Sequence, residues 1–98
     1  MLLYRWIGTA ANGCTKDALV QAKKLLAFHV DNDDRAAVDD NVTVLPSIRN
    51  PVNPKQTFAV LETWGWVYKA RYRMHLIYWV DASACILMGQ EILEYANL

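Results

Sequence analysis

The hydrophobic pattern of this chain is clearest in residues Trp66–Val80, which read WVYKARYRMHLIYWV. The odd positions include the cations Lys69, Arg71 and Arg73, followed by His75. Successive side chains of a β-strand point to opposite faces, so this alternation predicts a strand with one cationic face and one buried face. The residues of the predicted buried face are Trp66, Tyr68, Ala70, Tyr72, Met74, Leu76, Tyr78 and Val80.

A helix is the competing interpretation of this segment, because apolar residues such as Val67, Met74 and Ile77 also follow a helical spacing. In a helix, however, the cations would scatter to two sides, and the many Tyr, Trp, Val and Ile residues favour a strand. Fifteen extended residues would span roughly 50 Å, whereas a domain of this length is about 30–35 Å across. We therefore expect the strand to bend at a bulge, to break in two, or to project beyond the domain. The part that its hairpin partner does not cover should pair with Met1–Ile7 or with a second copy of the chain.

The first half of the chain predicts a strand, a helix and a second strand. Met1–Ile7 is apolar apart from one arginine and suits a short strand. Thr15 is a candidate N-cap for a helix that ends near His29. The run of acidic residues after it lacks the glycine and the glutamate of a calcium-binding EF-hand, so we expect a solvated loop there. Val42–Leu45 suits a short strand.

The middle of the chain predicts a loop followed by a hairpin. Three prolines in Leu45–Lys55 exclude a helix and disfavour a central strand, so we expect a stiff polar loop, of a length that is often functional. Thr57–Thr63 suits a strand, and Gly65 suits a tight turn into the long strand.

The last segment, Ala82–Ala96, predicts a second helix capped by Asp81 or Ser83. Most of its circumference is apolar, so we expect it to be well buried or covered by a partner. The predicted order is β-α-β-β-β-α in one domain, residues 1–98. The fold class is α+β, with a mainly antiparallel sheet and two helices packed on one face.

Composition and charge narrow the classes of function. A hydrophobic fraction of 54% predicts a folded domain, and a net charge of zero disfavours a general nucleic-acid or membrane-surface protein. Two cysteines, Cys14 and Cys85, are too few for a disulfide framework, so we expect both to be reduced, as in the cytoplasm. No apolar run approaches the ~20 residues that span a bilayer, and we expect no membrane partner.

Catalytic and metal-binding signatures are absent from the sequence. The cysteines and the two histidines, His29 and His75, come with no phosphate loop, no carboxylate pair and no zinc-ligand spacing. We therefore predict a protein that is not an enzyme and that has no catalytic residues, no metal and no cofactor.

The basic strand is the best candidate for a binding site. Its cations could hold an anion or anchor a protein partner, with nearby tryptophans contributing stacking or buried area. Solvent-facing cations that discourage edge-to-edge aggregation are the structural alternative. The candidate ligand- or partner-binding residues are Arg49, Lys55, Trp64, Trp66, Lys69, Arg71, Arg73 and His75.

These observations predict a small non-enzymatic binding protein that acts as a homo-oligomer, for example an inhibitor, a sequestering protein or an assembly accessory, including viral ones. Four tryptophans and five tyrosines are more than packing needs in 98 residues, and aromatic residues with Arg anchor protein interfaces. The alternative is binding of nucleic acid or nucleotides through the basic face of residues 66–80, and the second alternative is a small enzyme of unknown class.

Overall fold

The computed structural model of this chain describes residues 13–95. Within them, one helix and five strands form a sheet-dominated α+β fold whose strands all pair antiparallel. The order across the sheet is β1-β3-β4-β5, and β2 pairs with β3 on the same side as β1. The elements are α1 (Thr15–His29), β1 (Ala37–Val38), β2 (Thr43–Arg49), β3 (Thr57–Val67), β4 (Ala70–Asp81) and β5 (Ala84–Tyr95).

The predicted hairpin is present, but its turn lies later than expected. Thr57–Val67 and Ala70–Asp81 pair along their lengths and are joined at Tyr68 and Lys69. The long strand is therefore broken, which is one of the three outcomes expected from its length. Gly65 lies within β3 and not in the turn, so that prediction was wrong. Because the turn precedes β4, Trp66 belongs to the opposite face of β3 and is 36% exposed, contrary to its predicted burial.

The alternation within β4 holds as predicted. Its even-numbered side chains, from Tyr72 to Tyr78, are buried against α1, and Arg71 is exposed on the other face. We call the α1-facing side of the sheet the inner face and the opposite side the outer face. The buried apolar cluster consists of Cys14, Ala18, Ala22, Leu26, Leu61, Val67, Tyr72, Met74, Leu76 and Tyr78.

Helix α1 is confirmed with the predicted end at His29, although Cys14 and not Thr15 occupies the N-cap position. Small residues let this helix approach the sheet closely. Ala18 and Ala22 are fully buried, and a Cβ placed on Gly65 would come within 2.7 Å of Leu26 Cδ2. A side chain at position 65 would therefore push the helix from the sheet.

A partly buried hydrogen bond also links the helix to the sheet. The Tyr78 hydroxyl donates to Asp17 Oδ2 at 2.6 Å, joining the middle of the sheet to the first turn of α1. Burial, reinforced by this bond to the carboxylate, raises the pKa of Tyr78 above its usual value, so the phenol stays protonated and keeps donating.

The predicted second helix is wrong, because Ala84–Tyr95 forms strand β5 along β4. Its residues do not alternate clearly between apolar and polar, and its pairing contains a β-bulge: Ile77 lies opposite Gly89 and Tyr78 opposite Leu87, which leaves Met88 as an extra residue. Inward positions therefore change from odd numbers to even numbers within the strand. The result resembles a helical stripe in the sequence, and the fold has one helix on the inner face instead of two.

The other side of β3 is formed by two short strands in line. Strand β2 begins near the predicted Val42–Leu45 but extends through Pro46 to Arg49, with a register shift between Leu45 and Ile48 that accommodates the proline. The prediction of a loop over Leu45–Lys55 was therefore wrong for its first part, which belongs to β2. Buried Thr63 donates towards the carbonyl oxygens of Asp39 and Asn41, at 3.1 and 3.0 Å, and holds the segment between β1 and β2 against β3. The predicted strand Met1–Ile7 lies outside the described residues.

A disulfide joins Cys14 to Cys85, so the prediction of two reduced cysteines was wrong. The two residues are 71 positions apart, and no sequence pattern indicates that they pair. Their bond fastens the start of α1 to the start of β5. The disulfide therefore links the helix to the strand at one edge of the sheet.

We predict that removing this bond lowers stability substantially. By the chain-entropy argument, a cross-link that closes a loop of 71 residues is worth roughly 4 kcal/mol. The double variant Cys14→Ala, Cys85→Ala should therefore unfold at lower denaturant concentration than the oxidised protein. Reduction of the unmutated protein should reproduce the loss, whereas two thiols that react with an alkylating reagent in the folded, non-reduced protein would contradict the pairing.

Candidate interaction surface

The outer face of β4 presents the cations that the alternation predicted. Tyr72 and Met74 point into the core, so Arg71, Arg73 and His75 project from the opposite side. On either side of them, β3 and β5 contribute the outer-face side chains that pair across the sheet.

Two aromatic rings meet above β4. Trp64 of β3 lies opposite Arg73, and Tyr95 of β5 lies opposite Arg71. Strands β3 and β5 are roughly 10 Å apart, whereas the two ring centroids are separated by 5.4 Å with an interplanar angle of 49°. The rings therefore lean towards each other across the central strand, in a contact worth about 0.5–1.5 kcal/mol beyond the area that it buries.

A guanidinium group lies on each of these rings. The Arg71 guanidinium carbon is 4.8 Å from the centroid of Trp64, and that of Arg73 is 5.9 Å from the centroid of Tyr95. We name these four residues, Trp64, Arg71, Arg73 and Tyr95, the ring–guanidinium stack. Each cation–ring contact contributes on the order of 0.5–1 kcal/mol at an exposed site, so the four side chains hold one another in place.

His75 contacts carboxylates, whereas the two arginines contact aromatic rings. Its two ring nitrogens each lie 2.8 Å from a carboxylate oxygen, one of Glu62 on β3 and one of Glu91 on β5. The three residues are directly opposite one another in the sheet, and we name them the Glu–His–Glu row. Both nitrogens are engaged, so an incoming ligand would have to displace a carboxylate to reach the imidazole.

The turn between β3 and β4 carries a further exposed ring. Tyr68 is 71% exposed, and the Arg35 and Lys69 cations lie 5.4 and 5.6 Å from its centroid. Arg35 also pairs with Asp33, at 2.7 Å between Nη2 and Oδ2. These hydrogen bonds from Arg35 lower the pKa of the Asp33 carboxyl to about 2.

The eight predicted site residues do not form one surface. Six of them, Trp64, Trp66, Lys69, Arg71, Arg73 and His75, lie around the β3–β4 turn and the outer face beside it. Arg49 lies opposite Thr57, roughly 30 Å along β3 from Trp66. Lys55 follows in the loop 50–56, which is closed by its own hydrogen bonds, including Asn50 Nδ2 to Gln56 Oε1 at 2.8 Å.

Sequence reasoning missed three residues of this surface. Tyr95 and Glu91 were assigned to a helix, and Glu62 was not connected to His75. The sequence of β5 gives only a weak signal, because both its faces mix polar and apolar residues: after Met88, Gln90 and Ile92 share the inner face, and Glu91 and Leu93 share the outer face. A predicted strand with a bulge at Met88 would have placed Tyr95 on the outer face.

The surface combines aromatic rings, guanidinium groups and a histidine between two carboxylates. In residues 13–95, no group of three or more His, Cys, Asp and Glu side chains is arranged to hold a metal ion. A cavity of about 360 Å³ lies elsewhere, between α1 and β1, where its lining includes Leu26 and Val38. Across the same described residues, no helix has the length and apolar character needed to cross a membrane.

The fold and the surface together define a small sheet-dominated α+β domain with an aromatic and cationic outer face. No protein-family model, curated protein or solved structure matches the chain.

We predict that neighbouring residues of β4 differ sharply in their effect on stability. Tyr72 is 6% exposed and its ring contacts that of His29, so Tyr72→Ser should cost about 3–5 kcal/mol. Arg71→Ser removes one cation–ring contact and should cost about 1 kcal/mol or less. Thermal melts of the two variants measure the contrast, and equal losses would contradict the assignment of faces.

Proposed function

We propose that this protein is a non-enzymatic protein-interaction domain that docks a partner on the outer face of its sheet. The observation that carries the proposal is the ring–guanidinium stack. Trp, Tyr and Arg are the residue types that most often dominate the binding energy of protein interfaces. Here two arginines and two aromatic rings lie together on a face that α1 does not cover.

The stack is suited to docking because its order does not depend on a partner. Its backbone positions are fixed by the pairing of β3, β4 and β5, and its rings and guanidinium groups contact one another. A partner would therefore lose little additional side-chain entropy on binding, which favours affinity. Such a domain suits an inhibitor, a sequestering protein or an assembly accessory.

We also propose that the protein forms homo-oligomers through the edge of β5 that no described strand covers. Among the described strands, β5 pairs only with β4. Its exposed side chains include Ile86 and Met88, at 38% and 49%, and the strand contains no Lys, Arg or Pro. Natural sheets protect edges with such residues, with other charges and with bulges. In β5 the bulge at Met88 and the charges Glu91 and Glu94 lie in the second half, so the apolar segment Ala84–Leu87 is the part of the edge that favours pairing with a second copy.

For the compartment, the Cys14–Cys85 disulfide favours an oxidising environment over the cytoplasm that the number of cysteines predicted. Structural disulfides form and persist mainly in secreted or otherwise oxidised proteins. The experiments below are therefore designed for non-reducing buffers.

The docking proposal is tested by comparing what the protein captures with and without the stack. The immobilised protein, exposed to an extract of its source organism, should retain a protein that Trp64→Ser, Tyr95→Ser fails to retain. Lys24→Ser, Phe28→Ser, which changes the exposed side of α1, is the matched control and should retain it. Retention by the stack variant equal to that of the unmutated protein would refute docking on this face.

Binding of nucleic acid is the second candidate function, favoured by the cations Lys69, Arg71 and Arg73. Raising salt from about 0.1 M to 1 M shortens the Debye length from ~10 to ~3 Å and releases a phosphate-bound partner much more than an aromatic interface. Captured material that is lost with salt or after nuclease treatment would support this alternative. Material that resists both would support protein docking.

The oligomer proposal has a separate test. Sedimentation at micromolar concentration should show a dimer or larger assembly, and Ile86→Lys, Met88→Lys should convert it to a monomer by charging the β5 edge. Val20→Lys, Phe28→Lys charges two exposed apolar positions of α1 instead and should leave the assembly intact. An unmutated protein that is monomeric at every concentration would overturn the proposal.

A further inference from the structure

The charges around the stack indicate what kind of partner segment it accepts. Some of the cations and the histidine near the β3–β4 turn already have carboxylates from the chain itself: Arg35 pairs with Asp33, and His75 contacts two glutamates. Arg71 and Arg73 do not. Among residues 13–95, no carboxylate oxygen lies within 4.0 Å of either guanidinium group.

A guanidinium group that lies on a ring can still bind a carboxylate or another anion through its N–H donors. Contact with the face of a ring uses none of the five N–H donors of a guanidinium group, and within residues 13–95 neither the Arg71 nor the Arg73 group donates a hydrogen bond to another side chain. That fork of donors matches a carboxylate or a phosphate with two parallel hydrogen bonds. Two guanidinium groups without a carboxylate partner in the described part of the chain are therefore held two residues apart on β4.

The site ends at His75 in the direction away from the β3–β4 turn, which disfavours a long polymer of phosphates running along β4. Arg71 and Arg73 are two residues apart on one strand, a spacing of roughly 7 Å. The next outer-face position is His75, where Glu62 and Glu91 flank the ring. A polyanion that continued along β4 would meet these two carboxylates and be repelled.

The spacing of the two arginines is also that of alternate side chains in an extended chain. A partner segment in β conformation places residues i and i+2 on one face, about 7 Å apart. Beside Arg73 in the sheet lies Leu93, which is 49% exposed, and Trp66 lies opposite Arg71. The surface around the two forks is thus apolar, which suits large apolar residues flanking two acidic ones.

We propose that the ring–guanidinium stack binds an extended acidic protein segment that presents two carboxylates at alternate positions, one to Arg71 and one to Arg73, with apolar residues on either side. This inference rests on the proposed docking function and names the chemistry of the partner. It differs from the nucleic-acid alternative in requiring a short segment with discrete carboxylates.

The test is a titration of labelled synthetic probes followed by fluorescence anisotropy at low salt without reductant. The acidic probe has the sequence Gly-Leu-Glu-Ser-Glu-Leu-Gly, the neutral probe replaces both Glu with Gln, and the third probe is an eight-nucleotide single-stranded RNA. We expect the acidic probe to bind at least roughly tenfold more tightly than the neutral one, because charge-assisted pairs are about twice as strong as neutral ones.

Two matched charge variants locate the binding. Arg71→Gln, Arg73→Gln should weaken binding of the acidic probe by at least roughly tenfold. Lys23→Gln, Lys24→Gln removes the same charge from the exposed side of α1 and should leave binding within about twofold of the unmutated protein, since α1 lies across the sheet from the stack. Melting curves of both variants establish that the fold is retained.

The outcomes separate this inference from the docking proposal. Equal binding of acidic and neutral probes, or undiminished binding to Arg71→Gln, Arg73→Gln, would overturn the acidic-segment inference. Stronger binding of the RNA than of the acidic probe would overturn it in favour of the nucleic-acid alternative. If capture depends on the stack and the acidic probe fails, the docking surface stands and its partner has another chemistry.

Discussion

The structure depends on the close packing of one helix against one face of a twisted antiparallel sheet. Ala18 and Ala22 bring α1 near the strands, and Gly65 leaves room for Leu26. The hydrogen bond from Tyr78 to Asp17 and the disulfide to Cys85 then fix the position of the helix. Because the helix covers the inner face alone, the outer-face residues of β3, β4 and β5 are left to interact with one another.

The candidate surface is a consequence of that arrangement through strand register. Trp64 and Tyr95 meet above β4 because the pairing of the strands sets each of them opposite an arginine. A shift of one residue in β4 would turn Arg71 and Arg73 into the core and expose Tyr72. Burial of the inner face therefore specifies the position of every outer-face cation, so the stability of the core and the geometry of the surface have the same origin.

Sequence reasoning succeeded where one local pattern decided the structure. The alternation from Tyr72 to Tyr78 predicted both faces of β4, and the apolar spacing of Thr15–His29 predicted α1. It failed where a distant partner or an irregularity decided. Strand β5 was predicted as a helix because its faces mix polar and apolar residues and its pairing is shifted at Met88. The turn at Tyr68 places Trp66 on the other face. The stack could not be derived because Tyr95 joins it only once β5 is a strand.

The disulfide also changes what a break in the backbone would do. The loop 50–56 is exposed, and Val52 within it is 90% exposed. The peptide bond that follows Lys55 in this loop is accessible to a trypsin-like protease. A cut there separates β2 from β3 in the chain, yet both halves stay covalently joined, because Cys14 lies before the cut and Cys85 after it. The nicked molecule would keep its helix against its sheet and its outer face unchanged, and it would divide into two chains only after reduction.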